Sequence, residues 1–135
     1  MKHILAAALL CAALPASAAT YPMAGAWFGT GQPDDRSSMY IDTFLPDGRF
    51  AGQFRACFKG KALDETDAGT WSVTGDILTI AIATVDGKAA PRRDAYRLLS
   101  VDATTQSYIF LATNFAYKSH KVAGGFAMPS CDLTS

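Results

Sequence analysis

The sequence predicts an all-β domain built as an antiparallel meander, and three observations support this prediction. Short segments of alternating apolar and polar residues recur along the chain, and Gly/Asp turn signals separate them. No window after the N-terminal segment has a sustained helical period of apolar residues. Strands spaced in this way form a closed barrel or a sandwich. Closure would remove the exposed edges that a small open sheet must protect.

The N-terminal 18 residues resemble a secretory signal peptide in composition. Lys2 supplies a positive charge, residues 4–14 form an apolar run, and residues 16–18 are a small-x-small cleavage site. We expect cleavage after Ala18, with Ala19 as the alternative, which leaves one domain over residues 19–135. Neither the apolar run nor any later segment is long enough to span a bilayer. The sequence therefore predicts export to the periplasm or the medium, without stable membrane insertion.

Charge and cysteine content narrow the possible partners and the compartment. The chain has 12 basic and 12 acidic side chains, and this balance lacks the basic surface that nucleic acids and anionic membranes require. Cleavage would remove Cys11 and leave Cys57 and Cys131, which allow one internal disulfide in an oxidising compartment. That bond would close a loop of 74 residues and contribute about 4 kcal/mol by the chain-entropy treatment. Two free thiols or an intermolecular bond are the alternatives.

The first half of the domain predicts three strands. The first is expected over residues 24–30, followed by a polar loop over 31–37, and the second covers 38–45 before the turn at 46–48. The third, over 49–58, has the cleanest alternation in the chain. One of its faces carries Phe50, Gly52, Phe54, Ala56 and Phe58, and the other carries Arg49, Gln53, Arg55 and Cys57.

The second half predicts further strands joined by tight turns. Residues 59–68 are charged and are expected to form a loop. Next comes a strand with Trp71 and Val73 on one face, and after the turn at 75–76 comes a strand that alternates Leu78, Ile80 and Ile82 with small residues. The Asp86-Gly87 turn leads to strands over 94–101 and from 107. Residues 114–128 are ambiguous, and Gly124-Gly125 would be a bulge or turn before a last strand near Cys131.

Four segments together resemble the small lipocalin-like (calycin-like) domains common among exported bacterial proteins. They are Gly25-Ala26-Trp27, the string from Phe44 to Phe50, the string from Gly69 to Ile80, and the string from Tyr96 to Asp102. The resemblance implies a small antiparallel up-and-down β-barrel of about eight strands. It also implies that Trp27 packs across the closed end and that a basic residue on a late strand, Lys118 or Lys121, stacks on it. We expect Trp27 and Trp71 to be structural.

One group of apolar residues is the candidate ligand site: Phe50, Phe54, Phe58, Leu78, Ile80 and Ile82. A barrel of about eight strands has room either for its own side chains or for one small ligand. The sequence leaves both a packed core and a pocket open.

Sequence motifs for catalysis and metal binding are missing. The predicted mature chain has one histidine, His120, and neither a Gly-x-Ser-x-Gly elbow nor a Cys-x-x-Cys pair. The acidic segment 64–67 lacks the spacing of a calcium loop. We therefore expect no enzymatic activity, no metal and no cofactor.

Two functions of different classes fit these observations. The first is an exported, non-enzymatic barrel that binds an apolar or amphipathic small molecule. The second is a protein-binding module, such as a periplasmic inhibitor of a protease or lysozyme, that contacts its partner through loops 31–37 and 59–68.

Overall fold

The chain folds into a closed β-barrel of eight antiparallel strands in chain order. The computed structural model describes residues 21–31 and 34–132, so the predicted signal peptide lies outside the described residues. The strands are β1 (Gly25–Gly31), β2 (Asp35–Phe44), β3 (Arg49–Phe58), β4 (Lys61–Thr74), β5 (Ile77–Val85), β6 (Lys88–Val101), β7 (Thr105–Phe110) and β8 (Phe115–Val122). Each strand pairs with its neighbours, and β1 pairs with β8, from Ala26 opposite Val122 to Gly29 opposite Ser119. The predicted all-β barrel is confirmed, and the sandwich alternative is wrong.

One end of the barrel is filled with large side chains. Trp27 is fully buried there with Met23, Phe44 and Leu98. The Trp27 indole Nε1 donates a hydrogen bond to the Met23 carbonyl at 2.8 Å. The ammonium of Lys121 lies 5.1 Å from the Trp27 ring centroid and donates to the Ala24 carbonyl at 2.7 Å. Of the two candidate lysines, Lys121 therefore covers the tryptophan. We call this the closed end.

The segment 59–68, expected as a loop, lies mostly in a strand, and that expectation is wrong. Only Lys59 and Gly60 form a turn, and β4 starts at Lys61 and pairs with β3 as far as Thr70. The inward face of β4 continues from Val73 and Trp71 to Asp67 and Glu65. Charged residues occupy inward positions of a regular strand, and their charge hides the two-residue alternation. The predicted loop 31–37 is also shorter than expected, because β2 begins at Asp35.

No strand ends near Cys131, contrary to expectation. The last strand, β8, ends at Val122, and residues 123–132 contain only a turn at Gly124-Gly125. The turn lets the chain leave β8 and reverse along the outside of the barrel. It does not continue the sheet because β8 is already paired with β7 and β1 on both edges.

The C-terminal tail, residues 123–132, packs on the outer face of β1, β2 and β3. The Phe126 and Phe28 rings lie 5.5 Å apart, and Arg55 Nη1 donates to the Pro129 carbonyl at 2.9 Å. Cys131 forms a disulfide with Cys57 of β3. The outward-facing Met39 and Ile41 of β2 are only 0% and 3% exposed. This burial places them beneath the tail, in a small second core outside the barrel.

Candidate ligand-binding cavity

A cavity of about 360 Å³ occupies the half of the barrel away from the closed end. Its floor is formed by the inward side chains Phe50, Ile80 and Ile82. Aromatic residues make up much of the remaining wall: Tyr40, Phe54, Tyr96, Tyr108, Phe110 and Tyr117. Charged residues also line it: Asp42, Glu65, Asp67, Arg92 and Asp94. The interior is therefore filled at one end and open at the other.

Strand register brings three carboxyl groups onto adjacent strands of one wall. Asp42 of β2 lies opposite Gly52 of β3, and Gly52 lies opposite Asp67 of β4. Two residues further along β3, away from the closed end, Phe54 pairs with Glu65 of β4. Inward side chains repeat every second residue, so Glu65 and Asp67 share a face.

Gly52 leaves a gap between the two aspartates. A Cβ atom at this position would lie 3.1 Å from the Phe50 ring and 3.4 Å from the Asp67 Cβ. Because glycine has no side chain there, the carboxyl groups of Asp42 and Asp67 face each other across β3. Burial, with a smaller contribution from the negative charge of Asp67, raises the pKa of Asp42 to about 7.

Among the described residues that line the cavity, Arg92 is the one basic residue, and two carboxylates already hold it. Its Nη2 donates to Asp67 Oδ2 at 3.0 Å, and its Nε donates to Asp94 Oδ2 at 3.0 Å. The other oxygen of Asp67, Oδ1, is buried and has no hydrogen-bond partner among the described residues. The pKa of Glu65 is raised by partial desolvation and then by the negative charge of Asp67.

Neutral tyrosine hydroxyls supply most of the remaining polar wall. The hydroxyls of Tyr40 and Tyr108 are hydrogen-bonded to each other, and the Tyr108 and Tyr117 rings stack with centroids 5.8 Å apart. Burial raises the pKa of Tyr40, Tyr96 and Tyr108 above the usual value for tyrosine. These hydroxyls therefore keep their protons at neutral pH.

Gly29 of β1 makes room for the Tyr40 ring. A Cβ atom at Gly29 would lie 2.2 Å from the Tyr40 hydroxyl oxygen, which is far inside van der Waals contact. Because Gly29 has no side chain, the Tyr40 ring can lie against β1 at this position and its hydroxyl can reach Tyr108.

Below the main cavity, a small extension of about 10 Å³ reaches towards the closed end. The two spaces share Asp42, Ile80, Tyr96 and Tyr108 in their linings. Gln106 of β7 lines the extension, is 2% exposed, and has a side-chain oxygen without a hydrogen-bond partner among the described residues. Polar groups therefore continue below the apolar floor.

The six predicted ligand-site residues are not all in one place. Phe50, Phe54, Ile80 and Ile82 line the cavity, and Leu78 lines the extension below it. Phe58 is 66% exposed at the end of β3 and is not part of the lining. This end of β3 lies next to the Lys59–Gly60 turn, beyond the enclosed part of the barrel.

The predicted structural tryptophan Trp71 lies between the cavity floor and the β2–β3 turn. Its Nε1 donates to the Leu45 carbonyl at 2.9 Å, and its ring packs edge-on against Phe44 at 5.5 Å. It thereby ties β4 to the turn that starts β3.

Sequence reasoning missed the polar half of the site. Asp42, Glu65, Asp67, Arg92 and Asp94 all face the cavity. A detectable signal existed for Glu65 and Asp67, which are in phase with Trp71 and Val73 along β4. The other three depend on how separate strands are aligned.

Fold and cavity together define the class: a closed up-and-down β-barrel with an internal cavity that is part aromatic and part acidic. Neither a family model nor a curated protein matches the chain. In the part of the chain that the structure describes, no helix is long and apolar enough to cross a membrane. Within the same residues, no three His, Cys, Asp or Glu side chains converge as a metal-binding group.

Proposed function

We propose that this protein is an exported, non-enzymatic barrel of the lipocalin-like type that holds an amphipathic small molecule in its interior. The observation that carries the proposal is the cavity of about 360 Å³ inside a closed eight-stranded barrel. Ligand pockets commonly measure about 300–1,000 Å³. A barrel with eight strands is just wide enough to hold one small ligand where side chains do not fill it.

The mixed lining favours an amphipathic ligand over a wholly apolar one. Phe50, Ile80 and Ile82 offer an apolar surface to the cavity. Asp42 of β2 and Asp67 of β4 present carboxyl groups to the same cavity. Burying carboxyl groups against a pure hydrocarbon would leave them without hydrogen bonds at a cost of several kcal/mol. A ligand with one polar end and one apolar portion satisfies both sets of groups.

Two features support export. The N-terminal 18 residues fit a signal peptide, and the disulfide between Cys57 and Cys131 is typical of an oxidising compartment such as the periplasm. The hydrolase-inhibitor alternative has less support, because residues 61–68, in one of its two expected contact loops, belong to β4.

Native and denaturing mass spectra of the protein test the proposal. The full chain would be purified without detergent from the export compartment of its own host. We expect a discrete additional mass, in the range of a small metabolite, that is present in the native spectrum and lost on denaturation.

Two variants sharpen the experiment. Ile82→Trp places a large ring in the cavity and should remove the additional mass, because Ile82 is buried in the cavity floor. Leu99→Trp adds the same ring at an exposed position of β6 and should retain it. A bare wild-type protein, or an additional mass that persists in Ile82→Trp, would contradict the proposal.

A further inference from the structure

We propose that the cavity selects small organic cations, in which an amine or quaternary ammonium group is joined to an apolar portion, and that Asp42 and Asp67 receive the positive charge. This inference rests on the proposed function, because it names the ligand class of the same cavity.

The charge of the lining is the first argument. Four carboxyl groups and one guanidinium face the cavity, an excess of three negative charges when all are ionised. The guanidinium of Arg92 is already paired with both Asp67 and Asp94, so two carboxylates already balance its positive charge. The cavity therefore repels carboxylates and phosphates and attracts cations.

Unsatisfied polar atoms are the second argument, independent of the number of acidic residues. Asp67 Oδ1 is a buried carboxylate oxygen in the cavity wall with no donor among the described residues. In the small neighbouring space, which shares part of its lining with the cavity, the Gln106 oxygen is also buried without a donor among the described residues, and Gln106 is only 2% exposed. Both atoms are acceptors that lack a donor, and an ammonium group carries hydrogen-bond donors that could satisfy them.

Aromatic walls are the third argument. Tyr40, Tyr96, Tyr108 and Tyr117 line the same cavity as the carboxyl groups. Cations are attracted to the faces of tyrosine rings by about 0.5–2 kcal/mol, most strongly where water is excluded. The Tyr rings also offer contact surface to the apolar portion of the same ligand.

The arrangement suits an organic cation better than a metal ion. Asp42, Asp67 and Asp94 come from three different strands, and no three acidic side chains in the described residues converge at metal-ligand distances. Calcium requires six to eight oxygen ligands at one point. An extended amine instead needs one or two carboxylates and an apolar wall beside them.

Three probes that share a phenylethyl group test the inference by isothermal titration calorimetry on the full mature chain at about pH 8. They are 2-phenylethylamine, which is cationic, 2-phenylethanol, which is neutral, and 3-phenylpropionate, which is anionic. We expect the amine to bind about tenfold more tightly than the alcohol. The propionate should bind more weakly than either.

Matched variants locate the charge recognition. Asp42→Asn keeps the shape of the side chain and removes no hydrogen bond of the described residues, so the variant should fold. It should reduce the preference for the amine several-fold while the affinity for the alcohol stays unchanged. Asp67→Asn should act in the same direction, and Asp76→Asn, in the exposed β4–β5 turn, should leave the preference intact.

The failure of this inference can be told apart from that of the proposed function. If the alcohol or the propionate binds as tightly as the amine, or if the molecule that co-purifies with the protein is neutral or anionic, the inference is overturned and the carrier function stands. If no probe binds and the native spectrum is bare, both are overturned. An unchanged preference in Asp42→Asn and Asp67→Asn overturns the assignment of the two aspartates.

Discussion

Asp42 is an aspartate whose carboxyl group keeps its proton to a higher pH in the folded barrel than in the unfolded chain. Its carboxyl group lies half-buried in the barrel interior and faces Asp67 across Gly52. Glu65 and Asp67 on β4, Arg92, Asp94 and Tyr96 on β6, Tyr108 on β7 and Tyr117 on β8 line the same cavity. Among these described residues only Arg92 is positively charged, and it is paired with Asp67 and Asp94 rather than with Asp42. The folded protein therefore holds a proton on Asp42 far more strongly than the unfolded chain does.

Stability should consequently fall as the pH rises from about 4 to about 7. The pKa of Asp42 is raised from 3.8 to about 7 in the folded state, so in this window the folded state binds a proton that the unfolded state has released. The loss is at most about 4 kcal/mol, from 1.36 kcal/mol per pKa unit. The raised pKa of Glu65 acts in the same direction. Urea denaturation at pH 5 and pH 8 measures the difference.

Asp42→Asn should flatten this dependence and raise the free energy of unfolding at pH 8. Asp76→Asn is the matched control and should keep the wild-type slope. Asp102 does not interfere, because its lowered pKa of about 2 affects stability only below its unfolded value of 3.8. A slope in Asp42→Asn equal to that of the wild type would contradict the placement of a buried carboxyl at Asp42.

Gly29→Ala should destabilise the protein by about 1–3 kcal/mol, the range for overpacking a tight site. The new methyl group would occupy the position of the Tyr40 hydroxyl and break its hydrogen bond with Tyr108. Gly124→Ala is the control, because a Cβ there meets nothing within 4 Å. Thermal unfolding of the two variants decides the matter, and equal melting temperatures would rule out this role for Gly29.

At the scale of elements, β4 determines how the site is built. Its first half carries Glu65 and Asp67 into the cavity, and its second half carries Trp71 and Val73 towards the core at the closed end. Backbone amides in residues 61–68 are paired with β3, and should exchange slowly with deuterium. The tail residues 123–127 serve as the comparison, since they lie in no strand. Exchange in 61–68 as fast as in the tail would show that this half of β4 is a loop.

The strand pattern could be predicted wherever apolar residues mark the inward face. The alternation in residues 49–58 predicts β3 at its observed bounds, and Leu78, Ile80 and Ile82 predict β5. The first half of β4 and all of β8 could not be predicted in this way, because polar residues such as Glu65 and Ser119 point inward. The same inward polar residues that hide a strand also form much of the site.

The cavity itself could not be predicted, because it depends on register. Whether Asp42 and Asp67 meet is decided by the lengths of two turns and by a glycine between them, and none of these appears in a periodicity pattern. Residues 25 positions apart face each other only once the sheet has closed.

At the scale of the whole molecule, the disulfide holds the tail against the barrel. Reducing it, or making the Cys57→Ser/Cys131→Ser double variant, frees a loop of 74 residues and should lower the free energy of unfolding by up to about 4 kcal/mol. It should also expose Met39 and Ile41, which are buried beneath the tail. Urea denaturation with and without reductant, and oxidation of Met39 by peroxide, measure these two effects. An unchanged midpoint together with a protected Met39 would contradict this role for the bond.

Barrel closure also dictates an order of events during biogenesis. A chain leaves the ribosome or a translocation channel N-terminus first, so β1 emerges long before its partner β8. Ala26 therefore cannot pair with Val122 until β8 has emerged. The disulfide partner of Cys57 is Cys131, which emerges 74 residues later. The final strand pairing cannot form until β8 has emerged, and the disulfide cannot form until Cys131 has emerged. If the chain is exported as we propose, it crosses the membrane as an open chain and acquires its interior only on the far side, in the presence of whatever small molecules that compartment contains.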